Sequence, residues 1–213
     1  MELNNIGVLF DLDGVLIDTE SQYSVFWGDI GEKYLGNREE FAARIKGSNL
    51  STILNNNFPD PDLQKDIVSQ LDEFQANMSY AIYPGVRDFI QQLVENGIPM
   101  CIVTSSDDRK MESLFEQQPY FKEVFRHIIT GDMVTKSKPD PECFIKGAEL
   151  IGADIRQCFV FEDSMQGIAA GIASGATVIA LDTTNSREAI SYLTHNIISS
   201  FENFSVTDMI KYK

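Results

Sequence analysis

The chain has 213 residues, a formal net charge of −15 and 43% hydrophobic residues. That length holds one large domain or a domain with an insertion, and the apolar share supplies a sizeable core. The charge argues against nucleic acid or an anionic membrane surface as a partner, so an anionic ligand must be drawn in by a local cation.

The N-terminal stretch lacks the basic, apolar and small-residue pattern of a signal peptide, and no run approaches the ~20 apolar residues of a membrane span. Cys101, Cys143 and Cys158 are widely separated in apolar strand-like or helix-like runs. They read as reduced core thiols of a cytoplasmic protein.

Residues 6–10 read as a fully buried strand, which ends abruptly in Asp11 and Asp13. Residues two apart on an extended chain point the same way, so both acids face one point and Leu12 faces away. Gly14 then permits a sharp turn. Buried carboxylates need compensation, and Mg²⁺ is the natural choice: it takes oxygen ligands and keeps positions open for a phosphate. A bare Asp-x-Asp fits an ordinary Asp-rich turn equally well.

A helical block follows. Asp18 or Thr19 can cap a helix ending near Leu35, where Gly36 stops it. A second helix fits 39–46, broken by Gly47. Ser51 can cap a third over 52–57. After the turn cluster at 58–61, Asp62 can cap a longer helix to about residue 81. No strand is visible in this block, so it reads as a small helical domain.

From Tyr83 the pattern alternates. Helices fit 86–96, 109–117, 141–151, 164–174 and 187–193, and strands fit 99–103, 128–129, 158–161, 177–181 and 197–198. The alternation predicts an α/β fold with a parallel sheet covered on both faces. The second strand ends in Thr104-Ser105-Ser106, whose hydroxyls and free N–H groups suit a phosphate, although Ser/Thr turns are common. Lys138, in Lys-Ser-Lys-Pro-Asp-Pro, could neutralise a nucleophilic carboxylate and a phosphoryl group together, whereas Lys136 reads as a solvated surface group. The strand at 158–161 again ends in acids, Glu162 and Asp163. Asp163 alone could be a helix N-cap; with Asp11 and Asp13 nearby, a further metal ligand is the better reading. Gly167 and Gly171 share a helix face and permit close packing, and Gly175 suits the C-terminal cap.

Together the runs Asp-Leu-Asp-Gly-Val-Leu-Ile-Asp-Thr-Glu, the strand ending at Thr104, Ser-Lys-Pro-Asp-Pro and Glu-Asp-Ser-x-x-Gly-Ile resemble the four motifs of the haloacid dehalogenase-like (HAD) hydrolase superfamily. The first continues as in its phosphatase and β-phosphoglucomutase branch. The resemblance implies a Rossmann-like core, residues 1–16 and 83–213, with an inserted helical cap, 17–82. It puts the first strand at the centre, between the strands that begin at Cys158 and Pro99. It implies Asp11 as nucleophile and Asp13 as acid–base. It assigns Mg²⁺ to Asp11, the Asp13 backbone carbonyl and Asp163, with Glu162 as a direct or water-linked helper. Thr104 and Lys138 would hold phosphoryl oxygens, Ser105 and Ser106 being second choices. Residues 44–49 resemble the cap loop that faces the active site, which makes Lys46 and Gly47 candidate substrate contacts.

The expected activity is Mg²⁺-dependent hydrolysis of a small phosphorylated metabolite, a sugar or polyol phosphate by analogy, through an aspartyl-phosphate. A β-phosphoglucomutase-type phosphomutase is the alternative. The positions matching that enzyme's cap histidine and arginine are Tyr23 and Leu50, which supply neither cation nor proton relay. Arg44 and Lys46 could stand in. A non-catalytic phosphate or protein binder is disfavoured because no nucleophile or metal ligand is missing, and dehalogenation because the phosphate set is complete. The protein is expected to act as a monomer.

Overall fold

β1 (Gly7–Phe10) is buried along its whole length in the computed structural model, which describes residues 6–45 and 48–213. Val8 and Phe10 enter one hydrophobic cluster and Leu9 enters another on the opposite face. A strand covered on both sides needs no polar face, and Gly-Val-Leu-Phe has none.

The chain then passes through β2 (Ile17–Asp18), α1 (Glu20–Leu35), α2 (Glu39–Arg44), α3 (Leu50–Asn57), α4 (Pro61–Asn77) and β3 (Ala81–Ile82). Next come α5 (Val86–Glu95), β4 (Met100–Val103), α6 (Asp108–Gln117), α7 (Pro119–Val124), β5 (Ile128–Ile129) and α8 (Glu142–Leu150). The last elements are β6 (Cys158–Glu162), α9 (Met165–Ser174), β7 (Thr177–Leu181), α10 (Arg187–Ile190), β8 (Ile197–Ile198) and α11 (Val206–Ile210). The main sheet is parallel throughout its pairings, in the order β5-β4-β1-β6-β7-β8. The expected α/β fold and the central place of β1 are both present. Chain order reverses at β1, and open α/β sheets bind ligands beyond the carboxyl ends of strands at such a point.

Side chains from α5, α6, α7 and α11 pack on one face of this sheet, and those of α8, α9 and α10 on the other. The first face is rich in aromatics. Phe10 stacks on Phe161 at 5.1 Å between centroids and meets Phe89 edge-on at 6.2 Å. On the second face, a Cβ at Gly171 would lie 2.8 Å from Val178 Cγ2, so only glycine lets α9 sit this close to the sheet. Helices α1–α4 enclose a hydrophobic cluster of their own, which includes Trp27, Phe41, Phe58 and Leu71.

The structure corrects several local expectations. The helical block is bounded by a two-stranded antiparallel ribbon in which Ile17 faces Ile82 and Asp18 faces Ala81. β2 and β3 are two residues each and adjoin the helical block, so the sequence pattern reads past them and α4 looks longer than it is. Asn49, rather than Ser51, caps α3 by accepting from Thr52 N. Asp60, followed by Pro61, starts α4 two residues earlier than an Asp62 cap implies. Helices α7 and α11 were not expected; they have six and five residues, too few for a clear helical repeat. α10 stops at Ile190, short of the expected residue 193. The three cysteines are buried and unpaired. Among the described residues no helix is long and apolar enough to cross a membrane.

Candidate active site

A cavity of about 500 Å³ opens beyond the carboxyl end of β1, between the sheet and the helical block. Asp11, Asp13, Thr104, Lys138, Glu162 and Asp163 all line it, from four different segments of the chain. Lys46 and Gly47, the two loop contacts expected from the sequence, lie outside the described residues.

Asp11 is buried immediately after β1, and its backbone N–H donates to Phe161 O at 2.9 Å. Lys138 Nζ donates to Asp11 Oδ1 at 2.5 Å, to Glu162 Oε1 at 2.6 Å and to Val103 O at 3.2 Å. The other oxygen of Glu162 accepts from the backbone N–H groups of Asp163 and Ser164, both at 2.9 Å, and from Ser164 Oγ at 3.0 Å. Glu162 therefore holds Lys138 through one oxygen and the turn after β6 through the other. Gly167 makes room for it: a Cβ there would fall 1.7 Å from Glu162 Oε1.

Asp13 has a separate set of donors. Lys110 Nζ donates to its Oδ1 at 2.5 Å, Ser106 Oγ donates to Oδ2 at 2.9 Å, and the Thr19 hydroxyl also donates to Oδ1. Thr19 sits at the N-cap of α1 but makes no side-chain capping bond, because its hydroxyl is turned to Asp13. Thr104 Oγ1 accepts from Ser106 N at 3.0 Å and so shapes the turn after β4. Gly14 has φ +80, and a Cβ there would come within 2.0 Å of Asp163 Oδ2. Two loops meet here too closely for any side chain. The loop after β7 props them: Thr183 Oγ1 donates to Gly14 O at 2.5 Å and Asn185 Nδ2 to Asp163 O at 3.0 Å.

The charges do not balance. In the buried cluster Asp11, Asp13, Glu162 and Asp163 face Lys110 and Lys138, an excess of two acidic over basic groups. Burial, with Glu162 and Asp13 nearby, pushes Asp11 up to about 7 against the pull of Lys138. Burial and the neighbouring Glu162 and Asp11 likewise push Asp163 well above the ordinary carboxylate range. For Asp13, burial also raises the affinity for a proton, but Lys110, Thr19 and Ser106 outweigh it and the net shift is downward. A divalent cation beside Asp11 and Asp163 would offset that excess. Among the described residues no three acidic, histidine or cysteine side chains converge as a cage. The set expected from the sequence has two carboxylates and a backbone carbonyl, and these residues fit a hard cation that keeps other positions for substrate.

The model of the haloacid dehalogenase-like hydrolases matches residues 7–175, which includes Asp11, Lys138 and Asp163. The chain belongs to the haloacid dehalogenase-like hydrolases. Hexitol phosphatase A of Escherichia coli is 29% identical over 207 residues, covering 94% of each chain. The bifunctional riboflavin kinase/FMN phosphatase of Arabidopsis thaliana is 31% identical over 191 residues, and the match spans 82% of this chain but 48% of that relative. A family IA, variant 3 HAD hydrolase from Entamoeba histolytica superposes with a TM-score of 0.85 at 21% identity, over 97% of this chain and 98% of that one. Family and relatives together make this HAD-like chain an enzyme of the phosphoric monoester hydrolase class.

Sequence reasoning missed Lys110, the Thr19 hydroxyl as a partner of Asp13, and the supports from Thr183 and Asn185. A lysine in the first turn of a polar helix reads as solvated surface, and nothing local marks it otherwise. Arg44, weighed as a possible substrate contact, donates to Asn57 Oδ1 at 2.8 Å.

Proposed function

We propose that this HAD-like enzyme hydrolyses the phosphate monoester of a small alcohol, a sugar or polyol phosphate, with Mg²⁺ and through an aspartyl-phosphate on Asp11. We take residues 17–82 as the cap that closes over the substrate, and 1–16 with 83–213 as the catalytic core. The observation that carries this reading is the buried Asp11–Lys138–Glu162 chain beside Asp163, with its excess of two acidic over basic groups.

The carboxylates of Asp11 and Asp163 and the backbone carbonyl of Asp13 would hold the cation, which neutralises charge between nucleophile and phosphate when bound. Lys138, pinned by Glu162, stands beside Asp11 Oδ1 and can take up the charge of a phosphoryl oxygen there. Thr104, Ser105 and Ser106 border the same cavity and offer further donors. The Asp11 carboxylate attacks phosphorus and the bond to the leaving oxygen breaks. Asp13 gives that oxygen a proton; later it takes one from the water that cleaves the acyl phosphate and regenerates Asp11. In the free protein Asp13 is held as the base. Entry of a phosphate dianion raises its proton affinity and readies it as the acid. Hydrolysis is favoured over the mutase reaction by Tyr23, whose hydroxyl accepts from Gln75 Nε2 at 3.1 Å and whose ring lies under Lys110, so both are already engaged by α4 and α6.

The test is inorganic phosphate release from a panel of sugar and polyol phosphates with added Mg²⁺. Wild type should turn over at least one, chelation should stop it, and Asp11→Asn should lower kcat by at least ~10³-fold. Wild-type rates in Asp11→Asn, or isomerisation faster than phosphate release, would sink this reading.

A further inference from the structure

Lys110 lines the reaction cavity, yet the chemistry above leaves it without a task. It is 2% exposed, on a helix whose sequence is largely polar. A buried ammonium loses its hydration and its rotamer freedom, so its place must be repaid by specific partners. Those partners are on the page. Nζ lies 2.5 Å from Asp13 Oδ1 and 4.4 Å from the centroid of the Tyr23 ring. Tyr23 is fixed in turn by Gln75 of α4. The first turn of α6 is set by Asp107, whose Oδ1 accepts from Lys110 N at 2.9 Å. The next residue back, Arg109, donates to Asp72 Oδ2 of α4 at 2.5 Å. One turn of helix therefore grips Asp13 in the core and two helices of the cap.

Asp13 has a particular need for such a grip. Its carboxylate stands beside Asp11 in a site that lacks positive charge, so any cation bound there would attract it. A carboxylate drawn onto a cation cannot exchange protons with a leaving alcohol. Three donors from three separate elements hold both of its oxygens instead, and Lys110 is the charged one.

We propose that Lys110 is a positioning residue for Asp13: it holds the acid–base carboxylate in the orientation from which it serves the leaving group, and Tyr23 and Gln75 of the cap hold Lys110. The proposal rests on the reading of Asp13 as the acid–base. It makes the seating of the cap on the core a condition for an aligned proton donor.

The test compares kcat/KM for an alkyl phosphate with that for p-nitrophenyl phosphate, whose weakly basic leaving group departs without a proton. Lys110→Met should lower the alkyl value by ~10–100-fold and the aryl value by less than ~3-fold. Asp13→Asn should show the same selectivity with a larger loss, and the double variant should be no worse than Asp13→Asn alone. Equal losses on both substrates, or a full additional loss in the double variant, overturn the positioning role while Asp13 keeps its assignment. No difference between substrates in Asp13→Asn itself overturns the acid–base reading, and the proposal with it. A second readout needs no turnover: thermal denaturation of the same three variants without metal should show non-additive losses, and strict additivity rules out the pair. Should Lys110→Met fail to fold, Lys110→Gln carries the same comparisons.

Discussion

Asp11 and Asp13 leave the same strand two residues apart, and each lies 2.5 Å from a buried lysine. Their side chains are similarly enclosed, 10% and 15% exposed. Even so, Asp11 is pushed up to about 7 while Asp13 is held below its ordinary value. The difference lies in how each lysine is shared. Lys138 also serves Glu162, and Asp11 receives no other side-chain donor among the described residues. Lys110 pairs with Asp13, which in addition accepts from two hydroxyls. Two carboxylates whose surroundings push their proton affinities apart mark a division of labour. On the proposed reading, Asp11 would meet the cation and the phosphoryl group and Asp13 would exchange the proton.

The largest way to break the comparison is to remove the shared lysine. Lys138→Met leaves Asp11 and Glu162 buried without a counter-charge. Phosphatase kcat/KM should fall by at least ~10³-fold, and stability in urea at neutral pH should fall by roughly 3–5 kcal/mol without added metal. A loss of activity with unchanged stability would mean that the Asp11–Lys138–Glu162 chain does not carry the burial of its acids.

A smaller change makes the Asp11 side resemble the Asp13 side. Between the ordinary value of 3.8 and about 7, folded Asp11 keeps a proton that the unfolded chain has released. Stability of the metal-free protein should therefore fall as pH rises through that window. Asp163 acts in the same sense, since it too is raised. Asp13 acts in the opposite sense, because its lowered value adds stability that is lost only as pH falls. Glu162→Gln removes a charge that raises both Asp11 and Asp163. Urea unfolding at about pH 5 and about pH 7.5 should show the wild-type loss shrink by on the order of 1 kcal/mol in this variant. A steeper fall would reverse the assignment of cause.

The smallest effect sharpens the other side. Ser106→Ala removes one of two neutral donors to Asp13 and leaves Lys110 and Thr19 in place. It should cost about 1 kcal/mol of stability and lower kcat/KM for alkyl phosphates by ~2–5-fold. A loss as large as that of Lys110→Met would show that the hydroxyl, not the ammonium, orients the carboxylate.

How legible each feature was depends on whether its signal is local. Helix α1 ends at Gly36 in the left-handed conformation, as a glycine after an apolar-periodic run predicts. Gly175 closes α9 in the same way. Asp11, Asp13, Lys138 and Asp163 stood in recognisable runs, and the structure places all of them around one cavity. Glu162, a strand-terminal acid next to Asp163, reads as a direct or water-linked helper of a metal, and only the structure shows its oxygens engaged by Lys138 and two backbone N–H groups. Thr19, like Asp18, reads as a candidate helix cap, and its hydroxyl instead donates to Asp13.

The sequence by itself determined the alternation of the six main-sheet strands with the longer helices, the insertion of a helical block after β1 and the acids at the strand ends. Each of these follows from periodicity, turn residues and burial within a short window. Tertiary structure alone decided which donors each acid receives. Lys110 and Asp13 are 97 positions apart, and Lys138 and Asp11 are 127 apart. Hydrogen bonds between side chains so distant depend on how whole helices seat against the sheet. No local pattern encodes that seating, and the division between the two carboxylates rests on it.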